Sequence, residues 1–178
     1  MSFMVNSNIR RGTLGPHLQH GPSKWEILGV QIAICGPLGK VPRMPGTVAS
    51  LLGLLIHLGL QGIPYPAAWG VLVGLCLVGI WSAGCAERVI GLRDPPQVVI
   101  DEVVGMALAL AGLGRGILTL CMGLALFRLL DVLKPPPIRT LERHLPGGWA
   151  VVGDDLAAAL GAQVGLRLMG LVWPSSGS

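Results

Sequence analysis

The sequence predicts an all-α protein, a multihelical bundle that is partly membrane-embedded and built from transmembrane or re-entrant apolar helices. Three observations carry that expectation. Hydrophobic residues make up 52% of the 178 and charged residues only 12%, about half the charged share of an ordinary soluble domain. Met44 to Ala86 contains no Asp, Glu, Lys or Arg, a stretch longer than a water-soluble helix can spare. Clusters of Gly and Pro then divide the apolar sequence into helix-length pieces.

Taken in order, residues 1–24 are rich in Gly, Pro, Asn, Ser and His and read as a disordered tail. A single helical domain follows over 25–173, and 174–178 form a short C-terminal tail. The apolar stretch Ile27 to Cys35 is short and preceded by Glu26, which argues against a cleaved signal peptide. After a short helix at Trp25 to Ile34, the segment Cys35 to Thr47 is loop. Thr47 stands where an N-cap belongs and opens an apolar helix from Val48 to Leu60. Gly62 to Pro66 breaks that helix, and Ala67 to Ala86 supplies about the 20 apolar residues that a bilayer core of roughly 30 Å requires. Trp69 and Trp81 near its ends suit either an interfacial position or a place in the core. Asp94 as cap and Pro95 as first residue would open a helix carrying Val98 to Leu113. Gly112 to Gly116 make a turn, a second arm runs through Phe127 to Lys134, and Pro135 to Pro137 stop it. After Gly147 and Gly148, Asp154 or Asp155 starts a last helix through Val172.

The basic residues sit at the ends and between apolar runs, not in one patch interleaved with aromatics, so nucleic acid is a poor partner for this chain. Cys35, Cys76, Cys85 and Cys121 form no CxxC pair and lie in apolar sequence, where buried, reduced thiols are expected. His57, on an apolar helix, is expected to be a satisfied core residue. Of nine carboxylates, six fall between 101 and 155: Asp101, Glu102, Asp131, Glu142, Asp154 and Asp155. A carboxylate beside apolar helices costs several kcal/mol unless it is paired, hydrated or bound to a cation. Arg128, Lys134, Arg139 and Arg143 share the window, and Arg128, Asp131 and Lys134 step by about 60° each along one helical stripe.

Acids and bases together suit hydrolysis of a phosphate monoester. Hard oxygen ligands hold a divalent cation such as Mg²⁺, while guanidinium and ammonium groups offset the charge on the phosphoryl oxygens. A straight helix would put residues 101 and 131 about 45 Å apart, so the glycine turn must fold the segment back before they can share a site. Each arm is then too short to cross a bilayer. Simpler roles stand beside these: an N-cap for Asp154, first-turn charges for Asp101 and Glu102, and a structural pair for Arg128 and Asp131. Thr47 is either a plain N-cap or a phosphate contact at a helix N-terminus, and Lys40 and Arg43 suit headgroup-facing charges. A small cation- or proton-coupled transporter is the alternative, and it predicts carboxylates within the spans rather than at helix ends.

The ordered set Pro45–Thr47 (PGT), Asp101–Gly105 (DEVVG), Phe127–Arg139 (FRLLDVLKPPPIR), Gly147–Gly148 and Asp154–Asp155 resembles the phosphatidylglycerophosphatase A family over residues 25 to 170. The resemblance implies an all-helical, magnesium-dependent enzyme that converts phosphatidylglycerophosphate to phosphatidylglycerol at the cytoplasmic face of the bacterial inner membrane. It also implies metal binding or water activation by Asp101, Glu102, Asp131, Asp154 and Asp155, with Glu102, Asp131 and Asp155 as the catalytic acids. Arg128 and Lys134 are then phosphate contacts, with Arg139, Arg143 and Thr47 as further candidates. The chain departs from the family pattern at Glu142, where Asp is frequent, and at Ala159, where Gly is frequent.

Overall fold

The computed structural model describes residues 21–42, 44–134 and 145–172. Helix α1 (Lys24–Ala33) opens with a capping box: Ser23 Oγ accepts from the Glu26 amide at 3.2 Å, and Glu26 Oε2 accepts from the Ser23 amide at 2.9 Å. This satisfies two of the donors that a helix start leaves orphaned. A 3₁₀ turn (Leu38–Lys40) interrupts the following loop. Helix α2 (Pro45–Leu60) begins two residues before the expected cap, because Pro45 brings its preset φ to the first helical position. Thr47 is therefore in the first turn and is not the N-cap.

Helix α3 (Tyr65–Ile90) has 26 residues, about 39 Å of helix. It stops at Gly91, whose φ of 74° is open to glycine at no steric cost. Helix α4 covers only Ile100–Ala109, shorter at both ends than expected. Asp94 lies in the left-handed region (φ 49°) and its amide donates to Glu87 Oε1 at 3.1 Å. That bond ties the loop back to α3, so neither Asp94 nor Pro95 opens the helix. Helix α5 (Ile117–Leu133) follows the glycine turn, as expected. Helix α6 (Gly148–Val172) starts six residues before Asp154, which places the Asp pair in its second turn and excludes an N-cap role. It starts there because Gly148 passes the backbone of Ile80 and Gly84 too closely for any Cβ.

Helices α2, α4 and α6 run one way and α3 and α5 the other. The N-termini of the first three and the C-termini of the other two gather at one end, where α1 also packs on α3. The short α4 is the centre of the bundle. Val103, Val104, Met106, Ala107 and Ala109 are buried against α2, α3, α5 and α6, and glycines admit the close approaches: Gly53 abuts the Val103 carbonyl, and Gly79 faces Val104 Cγ2. Ala159 is also fully buried against this core.

At the far end, α4 runs out among apolar neighbours, where water is scarce and its last carbonyls need partners. Gln163 of α6 supplies them: its Nε2 donates to Leu108 O at 3.2 Å and to Ala111 O at 2.9 Å, while Nε2 of Gln61, the C-cap of α2, donates to Leu113 O at 2.8 Å. His57 is buried with its Nε2 2.7 Å from Gln61 Nε2, the satisfied core residue expected. All four cysteines are free; Cys85 is buried and Cys35 and Cys76 half-buried, but Cys121 is exposed because its face of α5 points outward.

The outer surface is apolar. Val71, Val73, Leu77, Val78 and Trp81 of α3, Leu118 and Leu129 of α5, and Leu160, Val164 and Leu168 of α6 are all exposed. A mantle of this extent marks contact with something other than water. Helix α3 is the one helix among the described residues long and apolar enough to cross a membrane, and α2 is a shorter apolar helix.

Candidate metal and phosphate site

Three helices bring the charged residues of the central window together at the gathered end. Asp101 and Glu102 occupy the first turn of α4, Arg128 and Asp131 the last two turns of α5, and Asp155 the second turn of α6. Asp101, Glu102 and Asp155 each offer an oxygen, and these atoms lie within 4.8 Å of one another. Close packing holds the third of them in place. Gly105 of α4 lets the Phe127 ring lie flush on the helix, and a Cβ there would meet the ring at 2.7 Å and Asp155 Cβ at 3.3 Å.

The electrostatics of this cluster are unfavourable as they stand. Burial, then the charges of Glu102 and Asp155, pushes the Asp101 carboxyl well above the ordinary carboxylate range. Burial, then the charges of Asp131, Glu102 and Asp154, does the same to Asp155. Glu102 is raised by burial, against a hydrogen bond from Asp101 and the charge of Arg128, which lower it. Asp101 Oδ1, Glu102 Oε2 and Asp155 Oδ2 are buried without a hydrogen-bond partner. Three acids that each bring an oxygen within 4.8 Å of the others, and each leave a buried oxygen unpartnered, fit a divalent cation, which would replace their repulsion with attraction.

A cationic group stands beside them. Arg128 Nη1 is 2.8 Å from Asp131 Oδ2 and 3.8 Å from Glu102 Oε1, yet has a hydrogen-bond geometry with neither. The expected pairing of Arg128 with Asp131 is thus present, and the pair borders the acid trio. Lys134, at the left-handed C-cap of α5, pairs with Asp154 Oδ2, while Asp154 Oδ1 accepts from the Asp155 amide at 3.0 Å. These two residues form a layer behind Asp155. Arg139, Arg143 and Glu142 lie outside the described residues, as does Arg43.

Thr47 is half-buried in the first turn of α2, and its neighbour Gly46 was not singled out from the sequence. A Cβ on Gly46 would overlap Glu102 Oε1 and come within 3.1 Å of Arg128 Nη1. The glycine in the PGT triplet was the available sign: it lets a helix N-terminus press directly on the charged cluster. The trio is also recessed. Gly79 of α3 is level with Ile100, Val104 and Val152, which puts the acids about 10 Å along α3 from Ala86 at the end of its uncharged stretch.

A bundle with an apolar mantle and a recessed cluster of acids beside a guanidinium defines a membrane-associated helical protein with a buried, charged site. Residues 31–170 match the family described as Phosphatidylglycerophosphatase A, and the chain belongs to that family; it is a phosphatase. It is 29% identical to Phosphatidylglycerophosphatase A of Escherichia coli K12, over 84% of this chain and 86% of the relative. The Haemophilus influenzae protein of the same name is 30% identical over 71% of this chain and 78% of its own. A Bacteroides thetaiotaomicron protein with the provisional name phosphatidylinositol-3-phosphatase is 35% identical, over 68% and 80% respectively. No solved structure matches the chain.

Proposed function

We propose that this protein hydrolyses the terminal phosphate monoester of phosphatidylglycerophosphate, giving phosphatidylglycerol and inorganic phosphate, and that the reaction depends on magnesium. The supporting observation is the trio of orphaned carboxylate oxygens from two helices, set beside Arg128. Asp101, Glu102 and Asp155 would hold Mg²⁺, which when bound supplies Lewis-acid polarisation of a phosphoryl oxygen. Arg128, ion-paired with Asp131 and carrying five N–H donors to share, binds the phosphoryl oxygens and offsets the charge they carry as the bond to the leaving group breaks. Asp131 lies next to the trio but outside it, and takes a proton from the attacking water. Water oxygen bonds to phosphorus, the phosphorus–oxygen bond to the glycerol breaks, and the glycerol oxygen is protonated from solvent. Lys134 and Asp154 fix Asp155 from behind.

The site end carries Lys24, Arg88, Arg93, Arg128 and Lys134 among the described residues, and the opposite end only Arg115 and Arg167. The excess of basic residues at the site end supports a cytoplasmic orientation in a bacterial inner membrane. The decisive assay is phosphate release in detergent from phosphatidylglycerophosphate and from phosphatidylinositol 3-phosphate, with and without magnesium, for the parent chain and for Asp131→Asn. The expected result is release from the first substrate, only with magnesium, and a fall of 10²-fold or more in Asp131→Asn. Preferential release from the inositol lipid would reassign the substrate, and equal release in all conditions would refute the mechanism.

A further inference from the structure

The end of the bundle opposite the acids has its own constellation. A cavity of about 220 Å³ opens there between the end of α2, the start of α3 and the α4–α5 turn. Its walls include Ile63, Trp69, Leu72 and Ala111, with the polar His57 and Gln61 at one side. Tyr65 packs edge-on against Trp69, the ring centroids 6.0 Å apart. Gly112, in the turn, has a φ of +72°, and a Cβ there would meet both Arg167 Nη2 at 3.4 Å and the Tyr65 hydroxyl at 3.6 Å. Arg115 Nε donates to Gln61 Oε1 at 2.7 Å. Tyr65 lines the opening, and Arg167 and Arg115 stand beside two of its lining residues, Gly112 and Gln61.

Charge is distributed unevenly along the molecule. Every described carboxylate lies at the catalytic end or on the segments packed there, and Arg167 has no ion-pair or hydrogen-bond partner among the described residues. Tyr65 is about 20 Å along α3 from Gly79 and the acids, so among the described residues no carboxylate stands near either arginine. The surfaces flanking the opening are apolar: Ile117 and Leu118 on α5, and Leu168 and Leu171 on α6, are exposed.

We infer that this end is a binding site for an anionic phospholipid of the leaflet opposite the catalytic one. Arg167, Arg115 and the Tyr65 hydroxyl engage its phosphate, and the apolar wall at Trp69 and Leu72 receives the adjoining part of the lipid. Guanidinium groups match a phosphate, Tyr and Trp suit the depth at which headgroups meet chains, and the apolar flanks select a lipid over a free anion. The inference goes beyond the catalytic reading and does not depend on it.

The test is thermal unfolding of the full chain in a neutral detergent, with dioctanoyl phosphatidylserine, dioctanoyl phosphatidylcholine or inorganic phosphate added. Phosphatidylserine should raise the midpoint by several degrees and the other two by much less. Arg167→Gln should lose at least half of that rise while releasing phosphate from phosphatidylglycerophosphate at the parent rate, and Asp131→Asn should keep the rise in full. Arg115→Gln, which also frees Gln61, should lose it too if it folds; Arg167→Gln decides alone if it does not. An undiminished rise in Arg167→Gln, or an equal rise with inorganic phosphate, would overturn the site.

Discussion

Substituting Gly46 by alanine separates catalysis from folding. The added methyl carbon overlaps Glu102 Oε1 and lies 3.0 Å from Glu102 Cδ and 3.1 Å from Arg128 Nη1. Both groups are ends of flexible side chains, so the fold yields cheaply, but the carboxylate has to move by on the order of 1 Å to restore an ordinary contact. A misplacement of that size costs about 10²-fold in rate, or about 2.7 kcal/mol of transition-state stabilisation. Gly59, on the same helix with nothing within 4 Å of its added Cβ, is the control; Gly59→Ala should gain up to about 1 kcal/mol of stability at unchanged activity. The assay is phosphate release against magnesium concentration, alongside the thermal midpoint. Gly46→Ala should show a higher half-saturating magnesium concentration and a depressed rate with a midpoint near that of the parent. Full activity at the parent's magnesium requirement would refute the assignment of Glu102 to the cation.

Three further outcomes follow from the same geometry. Because burial and neighbouring acids raise Asp101 and Asp155, the metal-free folded chain binds more protons than the unfolded one; its stability is full below the ordinary carboxylate range and falls as pH rises through the raised values. Thermal midpoints without magnesium should therefore drop towards neutral pH, recover on adding magnesium, and depend less on pH in Asp155→Asn, which should also be inactive. Lys134→Ala leaves the buried Asp154 without its ammonium partner and should cost about 1–3 kcal/mol in chemical denaturation, with a smaller loss of activity than Asp131→Asn. Gly105→Ala forces its methyl against the rigid Phe127 ring at 2.7 Å and should cost about 1–3 kcal/mol by overpacking, visible as a lowered midpoint at every pH.

The glycine turn at 112–116 and the apolar runs were legible because they rest on local chemistry: backbone freedom in the first case, composition in the second. From these the folding-back of Asp101 and Glu102 onto Arg128 and Asp131 could be worked out by helix rise alone. The helix starts were not legible, because tertiary contacts set them. Gly148 begins α6 six residues early by slotting against Ile80, and Glu87 captures the Asp94 amide and delays α4. Partner choice within the site was hidden for the same reason. The stripe Arg128, Asp131, Lys134 is visible in the sequence, but that Lys134 turns to Asp154 depends on the left-handed C-cap at the end of α5.

The last helix contributes to both ends of the machine. Asp155 completes the acid trio, and two turns on, Gln163 closes off the carbonyls where the central hairpin reverses. A chain emerging from the ribosome therefore has neither a finished acid trio nor a sealed hairpin until the 25-residue α6 has docked. Without that helix Asp101 and Glu102 have no third acid, and the carbonyls of Leu108 and Ala111 have no Gln163 amide to meet them.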